Sequence, residues 1–177
     1  MRPVVCLLTG GRSLRMGRNK AGLYHDGLRQ AQWLADLVSS VVGPRVIELG
    51  GNQTGCDFFL DAGNGPARAL HEAAISGVLG NLGVAIVLPV DLYQLEATGV
   101  YWFVREALRV PCVAVVDGTP SWDILGIPVR LLQEAPPGDS LRHLATDLRH
   151  LEVPRSLAPQ FRDSDYPRDL PRGVTLD

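Results

Sequence analysis

The sequence predicts an α/β fold of three layers around a mostly parallel central sheet, and three observations carry that prediction. Short apolar runs of strand length alternate with segments whose apolar residues recur at helical spacing. The run Val84–Val90 is nearly continuous in apolar residues, as expected of a strand covered on both faces. A glycine pair, Gly10-Gly11, follows directly on the first apolar run, at the strand end where open α/β sheets bind their ligands.

The elements follow in order. Pro3–Leu8 is a first strand. Leu28–Val42 carries Leu34, Leu37, Val38 and Val41 at helical spacing and stops at Gly43-Pro44. Arg45–Leu49 is a second strand running into Gly50-Gly51-Asn52, and Phe58-Phe59-Leu60 is a short third ending at Asp61. Pro66–Leu79 is a helix, with proline in its first turn and Gly80 near its end. Glu96–Arg109 is a helix and Pro111–Val116 a strand. Trp122–Leu125 and Val129–Leu132 are expected as a strand pair, or a strand and its return. Ser140–Arg149 is expected as a helix capped by Asp139 or Ser140. Prolines at 154, 159, 167 and 171 predict a mostly irregular tail. At 177 residues the chain suits one α/β domain, expected over residues 1–177.

A net charge of −2 argues against a general nucleic-acid binder. Basic charge is nevertheless concentrated: Arg12, Arg15, Arg18 and Lys20 fall within nine residues that contain no acid. A local positive patch on a mildly acidic chain suits a small anionic ligand. Lys20 is the only lysine, beside sixteen arginines, and lysine's compact charge is not interchangeable with arginine's planar fork. The three cysteines, Cys6, Cys56 and Cys112, have no metal-ligand or redox spacing, and Cys6 and Cys112 fall in apolar strands. No apolar run approaches membrane-spanning length, and the first residues lack the pattern of a signal peptide. A cytoplasmic enzyme without membrane or nucleic-acid partners is the expectation.

The strand ends collect the residues that can carry chemistry. Gly10–Lys20 reads as a phosphate-holding loop, glycines letting backbone N–H groups approach and cations neutralising what they cradle. It has neither Walker A nor G-x-G-x-x-G spacing. Asp91, at the end of Val84–Val90, reads as a magnesium ligand or as a helix cap. Asp61 and Asn52 each read as a nucleoside contact or as turn chemistry. His25 lies near the loop and reads as a surface histidine, and the tryptophans Trp33, Trp102 and Trp122 as packing residues.

The run from Leu8 through Thr9-Gly10-Gly11-Arg12-Ser13-Leu14-Arg15-Met16-Gly17 to Lys20 resembles the N-terminal motif of the molybdenum cofactor guanylyltransferase (MobA) family, L-A-G-G-x-S-x-R-M-G-x-x-K. Thr9, for alanine, is the one departure within it. Asp61…Gly65-Pro66 resembles the family's D…G-P-L-A-G, Val87–Asp91 the strand ending in C-D-x-P, and Phe161–Leu170 the closing F-x-N/D-x-N/D-T-P-E-D-L. The resemblance implies a Rossmann-like nucleotidyltransferase fold and GMP transfer from GTP to molybdopterin, with pyrophosphate released and Mg²⁺ as cofactor. It implies that Leu8, Thr9, Gly10, Gly11, Asn52 and Asp61 contact the nucleotide, that Arg15 and Lys20 hold its phosphates, and that Asp91 binds both nucleotide and Mg²⁺. Molybdoenzymes or their chaperones would be further partners. Departures cluster on the acceptor side: Arg68 replaces a small apolar residue, Val90 and Tyr93 replace the cysteine and proline around Asp91, and Pro120–Asp123 lacks the family's G-H-P-x-P-L-like run. The alternatives are a transferase using CTP or another phosphorylated acceptor, and a non-catalytic nucleotide-binding paralogue.

Overall fold

Strands form where the β-branched and apolar runs lie, and turns where glycine or proline interrupts them. The computed structural model describes residues 3–10, 23–25, 27–43, 45–60, 64–81, 83–134, 140–163, 170 and 174–175. In chain order the strands are β1 (Val4–Leu8), β2 (Tyr24–His25), β3 (Leu28–Arg29), β4 (Val46–Leu49), β5 (Asp57–Phe59), β6 (Val84–Pro89), β7 (Cys112–Val116), β8 (Thr119–Pro128), β9 (Arg149–Glu152) and β10 (Val174–Thr175). The helices are α1 (Gln30–Val42), α2 (Pro66–Ile75), α3 (Ala97–Ala107), α4 (Val129–Glu134) and α5 (Leu141–Leu144), with a 3₁₀ turn at Ala158–Phe161.

The central sheet runs β5-β4-β1-β6-β8-β7-β9, and β2, β3 and β10 form a second, small sheet. All the ladders of the central sheet are parallel except the two made by β8. Side chains alternate strictly between the two faces. Val5, Leu7, Val46, Val84, Ile86 and Leu88 meet α1, α3 and the 3₁₀ turn, whereas Val4, Cys6, Ile47, Leu49, Ala85 and Val87 meet α2, α4 and α5. Both faces of β1 and β6 are therefore buried, which is why those strands read as unbroken apolar runs.

The helix ends follow local chemistry. The first is preceded by extended Arg29 and stopped by Gly43 at φ +91°. Leu28 and Arg29 lie outside that helix because they pair with β2. Helix α2 has Pro66 in its first turn and ends at Ile75, short of Leu79, because the chain turns through Gly77 at φ +81°.

Three expectations are corrected. Trp122–Leu125 is part of one ten-residue strand, β8, and Val129–Leu132 is helical. The left-handed pair Asp117 (φ +51°) and Gly118 (φ +79°) turns β7 back into β8, and Asp-Gly is a favoured hairpin turn. Pro128 ends that strand, and Val129 and Leu132, three apart, then bury one helix face against α2. Ser140–Arg149 is helical only over Leu141–Leu144, with Ser140 Oγ accepting from the His143 N–H at 3.2 Å. Arg149 instead opens β9, an edge strand paired parallel to β7, whose exposed charges suit a sheet edge. The tail carries more order than expected. Beyond Pro154 lie the 3₁₀ turn and β10, the latter paired antiparallel with β2.

Candidate active site at the carboxyl edge of the sheet

From β1 the chain builds outward through β4 and β5 on one side, then returns to lay β6 on the other. That reversal is a topological switch point, and the crevice at the strands' carboxyl ends is the ligand position in sheets of this kind. Because β4, β1 and β6 are adjacent and parallel, Thr9-Gly10, Gly50–Asn52 and Val90-Asp91 emerge side by side. Three of the sequence-predicted segments are thereby brought to one rim. Gly11, Arg15, Lys20 and Asp61 lie outside the described residues.

Glycine lets the first two loops touch. The Thr9 and Gly10 amides both donate to the Leu49 carbonyl, at 3.1 and 3.2 Å. A Cβ on Gly10 would lie 2.9 Å from the Gly50 Cα, and one on Gly51 would lie 2.5 Å from both Glu48 Oε1 and Thr9 Oγ1. The first separation admits only glycine without backbone movement, and the second would force the Thr9 and Glu48 side chains apart. Glu48, wholly buried in β4, organises the loop that follows. Its Oε1 accepts from Thr9 Oγ1 at 2.6 Å. Its Oε2 accepts from the Gln53 N–H at 2.7 Å and from the Thr54 N–H and hydroxyl, each at 2.8 Å. Asn52 itself is exposed at the tip of this loop, and Leu8 is half-buried beneath the rim.

On the other flank, Asp91 is half-buried just beyond β6. Gln30 ties this strand end to the hairpin that follows the basic loop. Its amide Nε2 donates to the Val90 carbonyl at 2.9 Å, and its backbone N–H donates to the Leu23 carbonyl at 2.6 Å. Gln30 Oε1 is thus turned to His25 Nδ1 at 3.0 Å, so that nitrogen carries the proton. His25 is buried and stacks on Trp33 with ring centroids 3.9 Å apart, which corrects its reading as a surface residue. Trp33 joins it because the β2–β3 hairpin folds back over the start of α1. Tyr93 is buried against Leu23, Leu170 and Val174. Burial, and secondarily the negative charge of Asp91, push its phenol well above the usual tyrosine range.

Next to Asp91 opens a cleft of about 380 Å³, lined by Pro89 and Leu92 on one wall and by Trp122, Asp123, Phe161 and Asp163 on others. The Arg142 guanidinium lies 5.3 Å from the Trp122 ring centroid. Arg68, a departure from the resemblance, pairs with Glu72 one helical turn on at 2.9 Å, on an exposed face.

The donor set fits a magnesium ion in one way. Among the described residues no group of three or more His, Cys, Asp or Glu side chains could cage a metal. Among the described residues at the strand ends, Asp91 offers a hard carboxylate oxygen, the type of group that Mg²⁺ takes one or two of while completing its shell with substrate phosphates and water.

The residues missed in the sequence are Glu48 and Gln30. An acid inside the apolar run Val46-Ile47-Glu48-Leu49 was the available signal for the first. Nothing in its neighbourhood marked Gln30, whose partner lies sixty residues away.

The sheet order, the switch-point crevice and the glycine-built rim define an α/β nucleotidyltransferase. The MobA-like NTP transferase domain matches residues 5–158, and the chain belongs to that family. No curated protein matches it by sequence. Among solved structures it is similar to the putative protein Aq1419 of Aquifex aeolicus VF5 (TM-score 0.70, 16 % identity, 91 % of this chain and 92 % of that one). It is also similar to Rv0371c of Mycobacterium tuberculosis H37Rv (TM-score 0.67, 14 % identity, 96 % of each chain), a protein also solved in complex with manganese. A cytidylyltransferase of Leptospira borgpetersenii follows (TM-score 0.60, 11 % identity, 87 % of this chain and 75 % of that one). At these identities the likeness is one of fold. Family membership makes the chain a nucleotidyltransferase acting on a nucleoside triphosphate. Among the described residues no helix is long and apolar enough to cross a membrane.

Proposed function

We propose that the chain transfers GMP from GTP to the terminal phosphate of molybdopterin, releasing pyrophosphate. The observation that carries this reading is the convergence of Thr9-Gly10, Asn52 and Asp91 on one rim, read together with the motif from Leu8 to Lys20. Leu8, Thr9, Gly10 and Gly11 approach the nucleotide through their backbone, and Asn52 and Asp61 meet the nucleoside. The Gly10-Gly11 pair favours guanine, because the related cytidylyltransferases resemble A-A-G at that point.

An oxygen of the acceptor phosphate attacks the α-phosphorus. A P–O bond forms there as the bond between the α-phosphorus and the bridging oxygen breaks, and pyrophosphate leaves with the electron pair. The chain contributes position and charge rather than covalent chemistry. Arg15 and Lys20 would neutralise the phosphates, and Asp91 would hold Mg²⁺. Mg²⁺, when bound, supplies further charge neutralisation at the phosphate oxygens. The cleft beside Asp91 takes the acceptor, with Trp122 as its aromatic wall. That wall replaces the family's usual run, which favours as second reading the same transfer to a different phosphorylated acceptor.

The test is pyrophosphate release from GTP and Mg²⁺ with and without molybdopterin. Acceptor-dependent release that falls by about 10²-fold or more in Asp91→Ala, with the variant still folded, is the expected result. Release that is indifferent to the acceptor, or equal in the variant, contradicts the reading.

A further inference from the structure

We propose that Glu48 is a positioning residue that clamps the Asn52-bearing turn to the root of the phosphate loop, so that nucleotide affinity depends on a buried carboxylate that never touches the nucleotide. The inference rests on the nucleotide reading above and extends it to a residue outside the motifs.

Three observations converge on it. Glu48 occupies an interior strand position, its ladder partners being Leu7 and Phe58, where an aliphatic side chain would serve the sheet without the cost of burying a carboxylate. Four donors nevertheless meet it, and they come from two neighbouring strand ends: Thr9 from the end of β1, Gln53 and Thr54 from the turn after β4. Thr54 Oγ1 in turn accepts the Cys56 N–H at 3.1 Å, which carries the brace to the end of the turn. Finally, Gly51 is packed against the Thr9–Glu48 pair itself, so the bond sets the height of the backbone just before Asn52. Thr9 stands where the resemblance has alanine. Its hydroxyl and the Glu48 carboxylate are therefore a matched pair of this chain, and each gives the other its partner.

The geometry also says which property matters. Oε2 takes three donors and Oε1 one. A glutamine at 48 can keep the three on its carbonyl oxygen and present its NH₂ to Thr9, whose hydroxyl then turns toward the Leu49 carbonyl, 3.4 Å away. Hydrogen-bond geometry, not charge, is the requirement.

The experiment compares wild type, Glu48→Gln and Glu48→Ala by calorimetric binding of GTP and CTP with Mg²⁺, by thermal unfolding, and by hydrogen exchange of the Gln53 and Thr54 amides. Glu48→Ala is expected to lose about tenfold or more in GTP affinity and to narrow the GTP-to-CTP ratio, with both amides exchanging faster. Glu48→Gln is expected to restore affinity to within about threefold and to keep both amides protected. In the Glu48→Ala background, Asn52→Ala should add nothing further, because the turn it sits on is already released. A folded Glu48→Ala protein that binds GTP as wild type does, or full additivity of the two substitutions, overturns the proposal. If Glu48→Ala does not fold, Thr54→Val removes one donor at constant volume. About threefold weaker binding supports the clamp there, and unchanged binding overturns it. If wild type binds neither triphosphate, the nucleotide reading fails. The clamp is then scored by exchange alone: protection lost in Glu48→Ala and kept in Glu48→Gln upholds it, and unchanged protection refutes it.

Discussion

Cys6 and Cys112 are buried in the central sheet while Cys56 is partly exposed in the turn that Glu48 braces. Burial pushes the Cys6 thiol up to about 12 and, as the largest effect, the Cys112 thiol up to about 11. A disulfide reagent at neutral pH should therefore titrate one thiol in the native protein and all three after denaturation. Tyr93 offers a second residue-scale test. Its hydroxyl is buried with no hydrogen-bond partner among the described residues. Tyr93→Phe should leave stability unchanged or raise it by about 1 kcal/mol, whereas Tyr93→Ala should cost about 3–5 kcal/mol, both read from urea unfolding. At this scale legibility follows sequence distance. The strand end at Thr9-Gly10 was readable because a glycine closing an apolar run states its chemistry within a few residues. Glu48 and Gln30 were not, because their partners Thr9 and Val90 lie 39 and 60 residues away and only the folded sheet brings them close.

Among the elements, the segments buried on one or both faces were legible and the connections were not. β1 and β6 reveal themselves by continuous apolar runs, and α1 by its 3.6-residue stripe. β8 was misread because its first half carries half-exposed polar residues and its second half is apolar, so no single period spans it. The Asp117-Gly118 hairpin signal lay in plain view between β7 and β8. Two contacts at this scale make predictions. A Cβ on Gly126 would collide with that of Ala107, so α3 seats on β8 through the missing side chain. Gly126→Ala should cost about 1–3 kcal/mol in denaturant unfolding. At the other end of α3, Gln160 accepts the Glu96 N–H at 3.2 Å and donates to Glu96 Oε2 and Thr98 Oγ1, each at 3.2 Å. Gln160→Ala should therefore release the 3₁₀ turn from the helix start, read as faster amide exchange over Ala158–Phe161.

For the whole molecule, the raised thiols set the alkaline limit. Each stays protonated in the native state above the pH at which the unfolded chain releases its proton, near 9. The unfolded state then binds fewer protons, and stability falls as pH rises from about 9 through the native values of about 11 and 12. Chemical unfolding at pH 8 and pH 10 should show that loss, and Cys6→Ala should reduce it. The layered architecture and the rim at the carboxyl edge were legible from strand–helix alternation, because the strand-end rule of α/β sheets turns topology into a site. The cleft near the end of β6 was not, because part of its wall comes from the antiparallel β8. On the proposed function, the rim holds a guanine nucleotide through the loop ending at Lys20. The most direct measurement is calorimetric binding of GTP, CTP and ATP with Mg²⁺ to wild type and to Lys20→Ala. Selective GTP binding that weakens by about tenfold or more in the variant is the predicted result. Preference for CTP, or no triphosphate bound by the folded protein, would contradict it.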